Sequence, residues 1–538
     1  MRAGKLLVMW LDAYEASVAD RMMSEGRLPN LACLKSSSSR FFLDHGRQKY
    51  TGLAGEHFST GMAPEISGRW SVVEFNPRTY EVVQRSAIFE PLLGRVSSNA
   101  VIFDAPYFDM RRATQARGLV NWGSHDPGLA AMSRPRDLRD EIIAKFGPYP
   151  ATDYIYAFEW QSVFKTQAAG DALVAALDQR TRIARWLFCE RFPDWDLALV
   201  VVSELHSVIE SMWHGLDPSH PLHEHKSAAP ARLGVERVYE ALDRFVGTLV
   251  ESIPDAAVIA FSMHGMGPNN ADVPTMLLLP ELLYRLQFGH PLYEPRPEWR
   301  AGDGLPLLDE TENWDYAIKC CFKAPQRTAM GKICSVLDRV PTWISSKIAP
   351  QGGPETSDDG RFDLSLDWMA ATLYQPHWYR MRAFALPGFL DGRIRINLVG
   401  RERHGMVELN EYDDVCRELE ELLRACRDPQ TGAPVAESIG RCSDNPQALD
   451  VSGEDLRVLW RGSPLALTHK DLGLIGPAPF RRTGGHTGGH GVCYIKCHGT
   501  VPGDQGVRSS FDVAPTILQM LGQPIPNNVS GCSLLTSD

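Results

Sequence analysis

The stretch WDLALVVVSELH, Trp195–His206, decides how the chain is read. Its apolar run Leu197–Val202 gives way abruptly to Ser203, Glu204 and His206. A near-continuous Val/Leu run of this length is typical of a strand covered on both faces, as in a parallel sheet. Three other runs share the pattern: KLLVMWLDAY (Lys5–Tyr14), NAVIFDAP (Asn99–Pro106) and DAAVIAFSMHG (Asp255–Gly265). Helical patterns lie between them, as in AGDALVAALDQRTRIARWLFCERF (Ala169–Phe192) and ARLGVERVYEALDRFVGTLVESI (Ala231–Ile253). Strand alternating with helix predicts an α/β fold: a doubly wound, mostly parallel sheet flanked by helices.

Three of the four strands end near a potential metal ligand: Asp12, His206 and His264. Ligands of open α/β sheets bind at the carboxyl ends of the strands. A single Asp in such a place is usually a helix cap or turn residue. Three such endings on one sheet point to a shared site. The continuation Ser203–His223, SELHSVIESMWHGLDPSHPLH, adds His214, His220 and His223. It reads either as a polar surface loop or as half of a metal site.

The rest of the chain sets bounds. Its 538 residues exceed one simple core and predict a large domain with insertions, or two domains. A net charge of −11 argues against a nucleic-acid-binding surface. The apolar run near the start is only six residues long, too short for a signal peptide. No stretch reaches the roughly 18 apolar residues of a spanning helix. Eleven scattered cysteines with no CxxC fit reduced thiols. These features predict a cytoplasmic protein without a membrane segment. The alternation fails between about Pro291 and Tyr374, a region rich in Pro, Gly, Trp and Arg. The predicted organisation is a catalytic domain of residues 1–290 and 375–538 with an inserted cap at 291–374. The alternative for that segment is a mobile surface excursion.

Five motifs carry a resemblance. The first is WLDAYE, with Asp12 after a strand. The second is YTGLAGEHFSTGMAPEISGRW, in which Thr51 precedes Thr60-Gly61 by nine residues, followed by Pro64 and Gly68. The third pairs His206 with Glu210, and i and i+4 on a helical turn share one face. The fourth is FSMHGMG with His264, and the fifth is RRTGGHTGGHGVCYIKC with His486 and His490. In this order they resemble the alkaline phosphatase superfamily, most closely its type I phosphodiesterase/nucleotide pyrophosphatase branch, over about Lys5–Tyr284 and Ala385–Leu535.

The resemblance implies an alkaline phosphatase-like sheet, one or two divalent ions (zinc first, manganese or iron as alternatives) and a Thr or Ser nucleophile forming a covalent phosphoryl intermediate. Residue by residue it implies Thr51 as nucleophile and Asp12, Thr51, His206, Glu210, His264 and His486 as metal ligands. His490 is the alternative to His486 or a substrate contact. His214 and Arg482 are further candidates for substrate contact. A plain cap role for Thr51, and a solvated helix face for His206 and Glu210, stay open.

Three departures stand out. His206 and Glu210 fill a pair that the family writes as Asp and His. Ala54 stands where many phosphodiesterases of the branch have an Asn touching a phosphate oxygen. Met263 stands where the family has a metal-binding Asp, and a thioether is a soft, weak ligand. The expected function is metal-dependent hydrolysis of phosphodiesters or phosphomonoesters on a small-molecule substrate. The alternatives are a phospho- or sulfo-group transferase and a degenerate ligand-binding member. The Cys/Ser-x-Pro-x-Arg motif of sulfatases does not occur around Thr51.

Overall fold

The computed structural model describes residues 4–96, 99–124, 129–156, 162–300, 304–323, 363–442, 445–448 and 453–535. A nine-stranded sheet runs in the order Gly503–Ser509, Ser39–Asp44, His490–Lys496, Ala257–His264, Leu6–Leu11, Leu197–Val202, Ala100–Phe103, Arg117–Val120 and Met132–Arg134. The four strands expected from the sequence are consecutive neighbours in its middle, and all pair in parallel. His490–Lys496 interrupts this pattern by pairing antiparallel on both sides.

Alternation along the central strand explains why both faces are covered. Leu7, Met9 and Leu11 join the apolar cluster under the long helices Val163–Trp186 and Ala228–Ser252. Leu6, Val8 and Trp10 join the opposite cluster, with Phe58 and with Ile517 of the helix Val513–Met520. Successive side chains of a strand point to opposite faces, so a run with no polar member demands two covered faces. Asp512, at the start of that helix, does not cap it with its side chain. Its carboxylate accepts from the backbone N–H of Cys532 at 2.9 Å and pairs with Arg508.

A second, four-stranded antiparallel sheet orders Ala383–Leu386, Gly392–Ile396, Leu456–Trp460 and Ala436–Arg441. Trp299, Trp314, Ile318 and Tyr374, from the segment read as a cap, are buried in the same cluster as Leu277, Leu282 and Phe384. Residues 301–303 and 324–362 of that segment lie outside the described residues. Among the described residues no helix is long and apolar enough to cross a membrane.

Candidate metal centre

The fold brings three separate strand endings and one distant loop to the same place. Asp12 follows Leu6–Leu11 directly, and Ala13 next to it turns the chain with φ of 61°. His206 and Glu210 sit on the first turns of the helix Glu204–Met212, just beyond Leu197–Val202. His264 is the last residue of Ala257–His264. The antiparallel strand brings in the fourth part, because its first residue, His490, lies opposite His264. The glycine-rich loop ahead of it is therefore delivered to the carboxyl ends of the parallel strands. The loop lies so close there that a Cβ on Gly488 would overlap the backbone of Gly265 and Met266. Any other residue at 488 would push the loop off the strand end.

The ligand atoms form a triangle. His206 Nε2 is 3.1 Å from His486 Nε2 and 3.3 Å from Glu210 Oε1, and the third edge, His486 Nε2 to Glu210 Oε1, is 3.5 Å. An ion bound tetrahedrally at zinc–nitrogen and zinc–oxygen distances holds its ligand atoms about 3.3–3.4 Å apart. The three groups therefore fit one divalent ion. Two more groups flank them. Asp12 Oδ2 is 3.1 Å from His206 Nδ1, and His264 Nε2 is 3.1 Å from His486 Nδ1. His264 Nδ1 faces the carbonyl of Gly265 at 3.1 Å.

Charge favours the same reading. Burial alone would lower the pKa of His206, but the carboxylates of Glu210 and Asp12 outweigh it and push it up to about 10. A proton on His206 thus holds together two carboxylates that otherwise repel. Burial would raise Glu210, yet Arg482 and His206 keep it well below the usual carboxylate range. Burial and the neighbouring His486 press His264 down to about 3, and burial also lowers His486. Without an ion the centre thus holds an ionised Glu210, neutral His264 and His486, and a protonated His206 that has to give up its proton before it can bind a metal.

The other expected residues fall in different places. Arg482 reaches the cleft but is committed: it forms a fork with Asp272 at 2.9 and 3.0 Å and pairs with Glu210. It holds Glu210 in place and still lines the cleft. His214 is wholly buried away from the cleft, with Thr483 Oγ1 at 3.2 Å and Ser227 Oγ at 3.0 Å on its two ring nitrogens. His490 is exposed and does not line the cleft. Gly52, Ala54 and Gly55 line it, but Thr51 does not. The Thr51 hydroxyl donates to the Gln48 carbonyl at 2.9 Å and accepts from the Leu53 N–H at 3.1 Å, a turn-capping arrangement. Met263 is buried in the apolar cluster with Trp10 and Phe261 and is no ligand there.

Several lining residues were missed by sequence reasoning: Trp10, Lys49, Gln84, Tyr107, Phe389 and Leu390. Lys49 carried a signal, since it stands two residues before Thr51. Phe389 and Leu390 carried none, because they reach the cleft only through the turn between two strands of the second sheet.

The fold and the strand-end cluster define an α/β protein with a candidate metal centre at the carboxyl ends of its parallel strands. A family model described as type I phosphodiesterase/nucleotide pyrophosphatase matches residues 49–325, just over half of the chain, and the chain belongs to that family of phosphoester hydrolases. Solved structures are similar at low identity. Murine ectonucleotide pyrophosphatase/phosphodiesterase 5 is 10% identical over 98% of this chain and 97% of its own, with a TM-score of 0.49. Phosphonoacetate hydrolase from Sinorhizobium meliloti 1021 is 12% identical over 95% and 94%, with a TM-score of 0.47. The alkaline phosphatase PafA is 11% identical over 99% and 98%, with a TM-score of 0.46. No curated protein matches.

Proposed function

We propose that the protein is a divalent-metal-dependent hydrolase of phosphate esters, with His206, Glu210 and His486 holding one ion. The observation that carries this is the triangle with edges of 3.1, 3.3 and 3.5 Å. Zinc suits two imidazoles and a carboxylate best, with manganese or iron as alternatives. When bound, such an ion supplies charge to phosphoryl oxygens and acidifies a nearby hydroxyl or water. Arg482 and Asp272 keep Glu210 ionised and aimed. Asp12 and His264 stand on the flanks, with Asp12 Oδ2 3.1 Å from His206 Nδ1. They make at most a weak second ion site, because Met263 contributes nothing. The cytoplasmic setting and the division into a catalytic domain with an inserted cap at 291–374 belong to this proposal.

Thr51 is the attacking hydroxyl that the nine-residue spacing names. To act, it has to leave its bonds to Gln48 and Leu53, a cost of about 1–3 kcal/mol. Its commitment to the turn favours a second reading, in which water attacks phosphorus directly. The test is Thr51→Ala, assayed on a phosphodiester and a phosphomonoester, with mass spectrometry of the quenched wild type for phosphothreonine at 51. A covalent route predicts loss of turnover with metal content unchanged. Turnover within about tenfold of wild type, which is about 1.4 kcal/mol of barrier, means direct attack by water.

A further inference from the structure

The cleft beside the triangle encloses about 130 Å³. At about 10–15 Å³ per water position, that is room for a phosphoryl group and a few attached atoms. Its polar lining divides into groups already spent and groups still free. Asp12, His206, Glu210, His264 and His486 belong to the candidate centre, and Arg482 is committed to Asp272 and Glu210. Two groups remain. The Lys49 ammonium donates one long hydrogen bond, 3.3 Å to the Gly488 carbonyl, lies 5.2 Å from the centre of the Tyr50 ring, and has no carboxylate within ion-pairing distance among the described residues. The Gln84 carboxamide belongs to a side chain only 8% exposed and makes no hydrogen bond to any described residue.

Both are unusual for their surroundings. Buried amides are almost always hydrogen-bonded, so one left open toward a cleft points to a ligand. The Lys49 ammonium loses hydration by burial and recovers part of the cost only from the more distant carboxylates of Asp44 and Glu437. Their backbones are also held firmly. Gln84 lies on the strand Val82–Arg85, paired with Val73. Lys49 precedes Tyr50, whose carbonyl accepts from the buried guanidinium of Arg393 at 3.1 Å, and the same group donates to the Trp70 carbonyl at 3.3 Å. Arg393 is fixed in turn by Asp391. Opposite them Ala54 offers no polar contact, and Val72, Phe389 and Leu390 are apolar.

We infer that Lys49 and Gln84 form an anion subsite that selects substrates bringing a second negative charge into the cleft, either on the phosphoryl group of a monoester or on an acidic group beside the phosphorus of a diester. This rests on the phosphoester reading above. The charge balance supports it. Asp272 offsets Arg482, whereas Lys49 has no carboxylate within ion-pairing distance among the described residues, so its ammonium is open to an anionic group of the substrate. A monoanionic diester leaves that charge unused; a dianion engages it, and Gln84 donates to the same oxygens.

The test uses the metal-loaded full-length protein with three esters of one leaving group: p-nitrophenyl phosphate, methyl p-nitrophenyl phosphate, and a p-nitrophenyl diester whose alkyl arm ends in a carboxylate. Calorimetric binding of inorganic phosphate and of dimethyl phosphate gives a readout independent of turnover. Wild type is expected to favour at least one dianionic ester over the methyl diester, and which one tells where the second charge sits. Lys49→Gln is expected to cut that preference, and the affinity for inorganic phosphate, by about tenfold or more, with Lys49→Arg restoring part of both. Gln84→Leu is expected to act in the same direction and less strongly. Equal losses on all three esters, or phosphate affinity unchanged in Lys49→Gln, overturn the inference. Phosphate binding that depends on Lys49, in a protein that hydrolyses none of the esters, keeps the subsite and removes the hydrolase reading.

Discussion

The two halves of the candidate centre depart from their family in opposite ways. On one side His206 and Glu210 exchange the types of residue expected at two positions four apart, and the set of one carboxylate and two imidazoles survives the exchange. The protein has accommodated it: Arg482 and Asp272 back the carboxylate that now stands where an imidazole was expected. On the other side Met263 replaces a carboxylate outright and has joined the apolar cluster of the sheet. Nothing there restores the lost ligand; Asp12 and His264 are what is left. A substitution that keeps the ligand chemistry is supported by new neighbours, whereas one that abolishes it is absorbed into the core. The comparison supports the proposal that His206, Glu210 and His486 hold one strongly bound ion.

Breaking the strong half has the largest expected effect. Glu210→Ala removes a proposed ligand and leaves Arg482 paired with Asp272 alone; metal content, measured by elemental mass spectrometry, should fall to background and activity with it. Next, Arg482→Met or Asp272→Asn leaves all three ligands in place but releases Glu210. Metal affinity should fall by about 10–100-fold, the usual cost of losing an outer partner of a ligand, as read by competition with a chelator.

The proton on His206 gives a smaller, pH-dependent effect. With a pKa of about 10, His206 is protonated at neutrality and must lose that proton to bind an ion. Uptake of one ion at pH 7–8 should release about one proton, and affinity should rise with pH until about 10. Calorimetry in buffers of different ionisation enthalpy measures this. The sign for the metal-free protein follows from the raised value. The stabilisation is complete below the unfolded pKa of about 6.5 and is lost as pH rises toward 10, so metal-free and metal-loaded melting temperatures should diverge over that range. The smallest effect belongs to the weak half. Met263→Leu should leave metal content unchanged and cost less than about 1.5 kcal/mol, since it swaps one buried apolar group for another of similar volume. Lost metal in that variant would make the thioether a ligand.

Much of this was legible in the sequence, for definite reasons. The four central strands are runs buried on both faces, and such runs announce themselves without context. Asp12, His206 and His264 follow from them because strand ends are where a parallel sheet binds its ligands. His486 is harder: it reaches the centre only because His490–Lys496 runs antiparallel, which a single sequence does not state. Chemistry and nearness in sequence single out His214, His490 and Arg482, but neither tells which partner a side chain finds. Arg482 found Asp272, 210 residues away. The spacing that marks Thr51 is equally a turn-capping signal. Phe389 and Leu390 come from a second sheet whose docking on the cleft no local pattern predicts.

The most direct test of the central claim is metal content per chain, on protein purified without added metal or chelator, compared between wild type and His206→Ala. One equivalent of zinc, manganese or iron in wild type, and none in the variant, is the predicted result. No metal in wild type even after incubation with these ions, or equal metal in both proteins, would contradict an ion held by His206, Glu210 and His486.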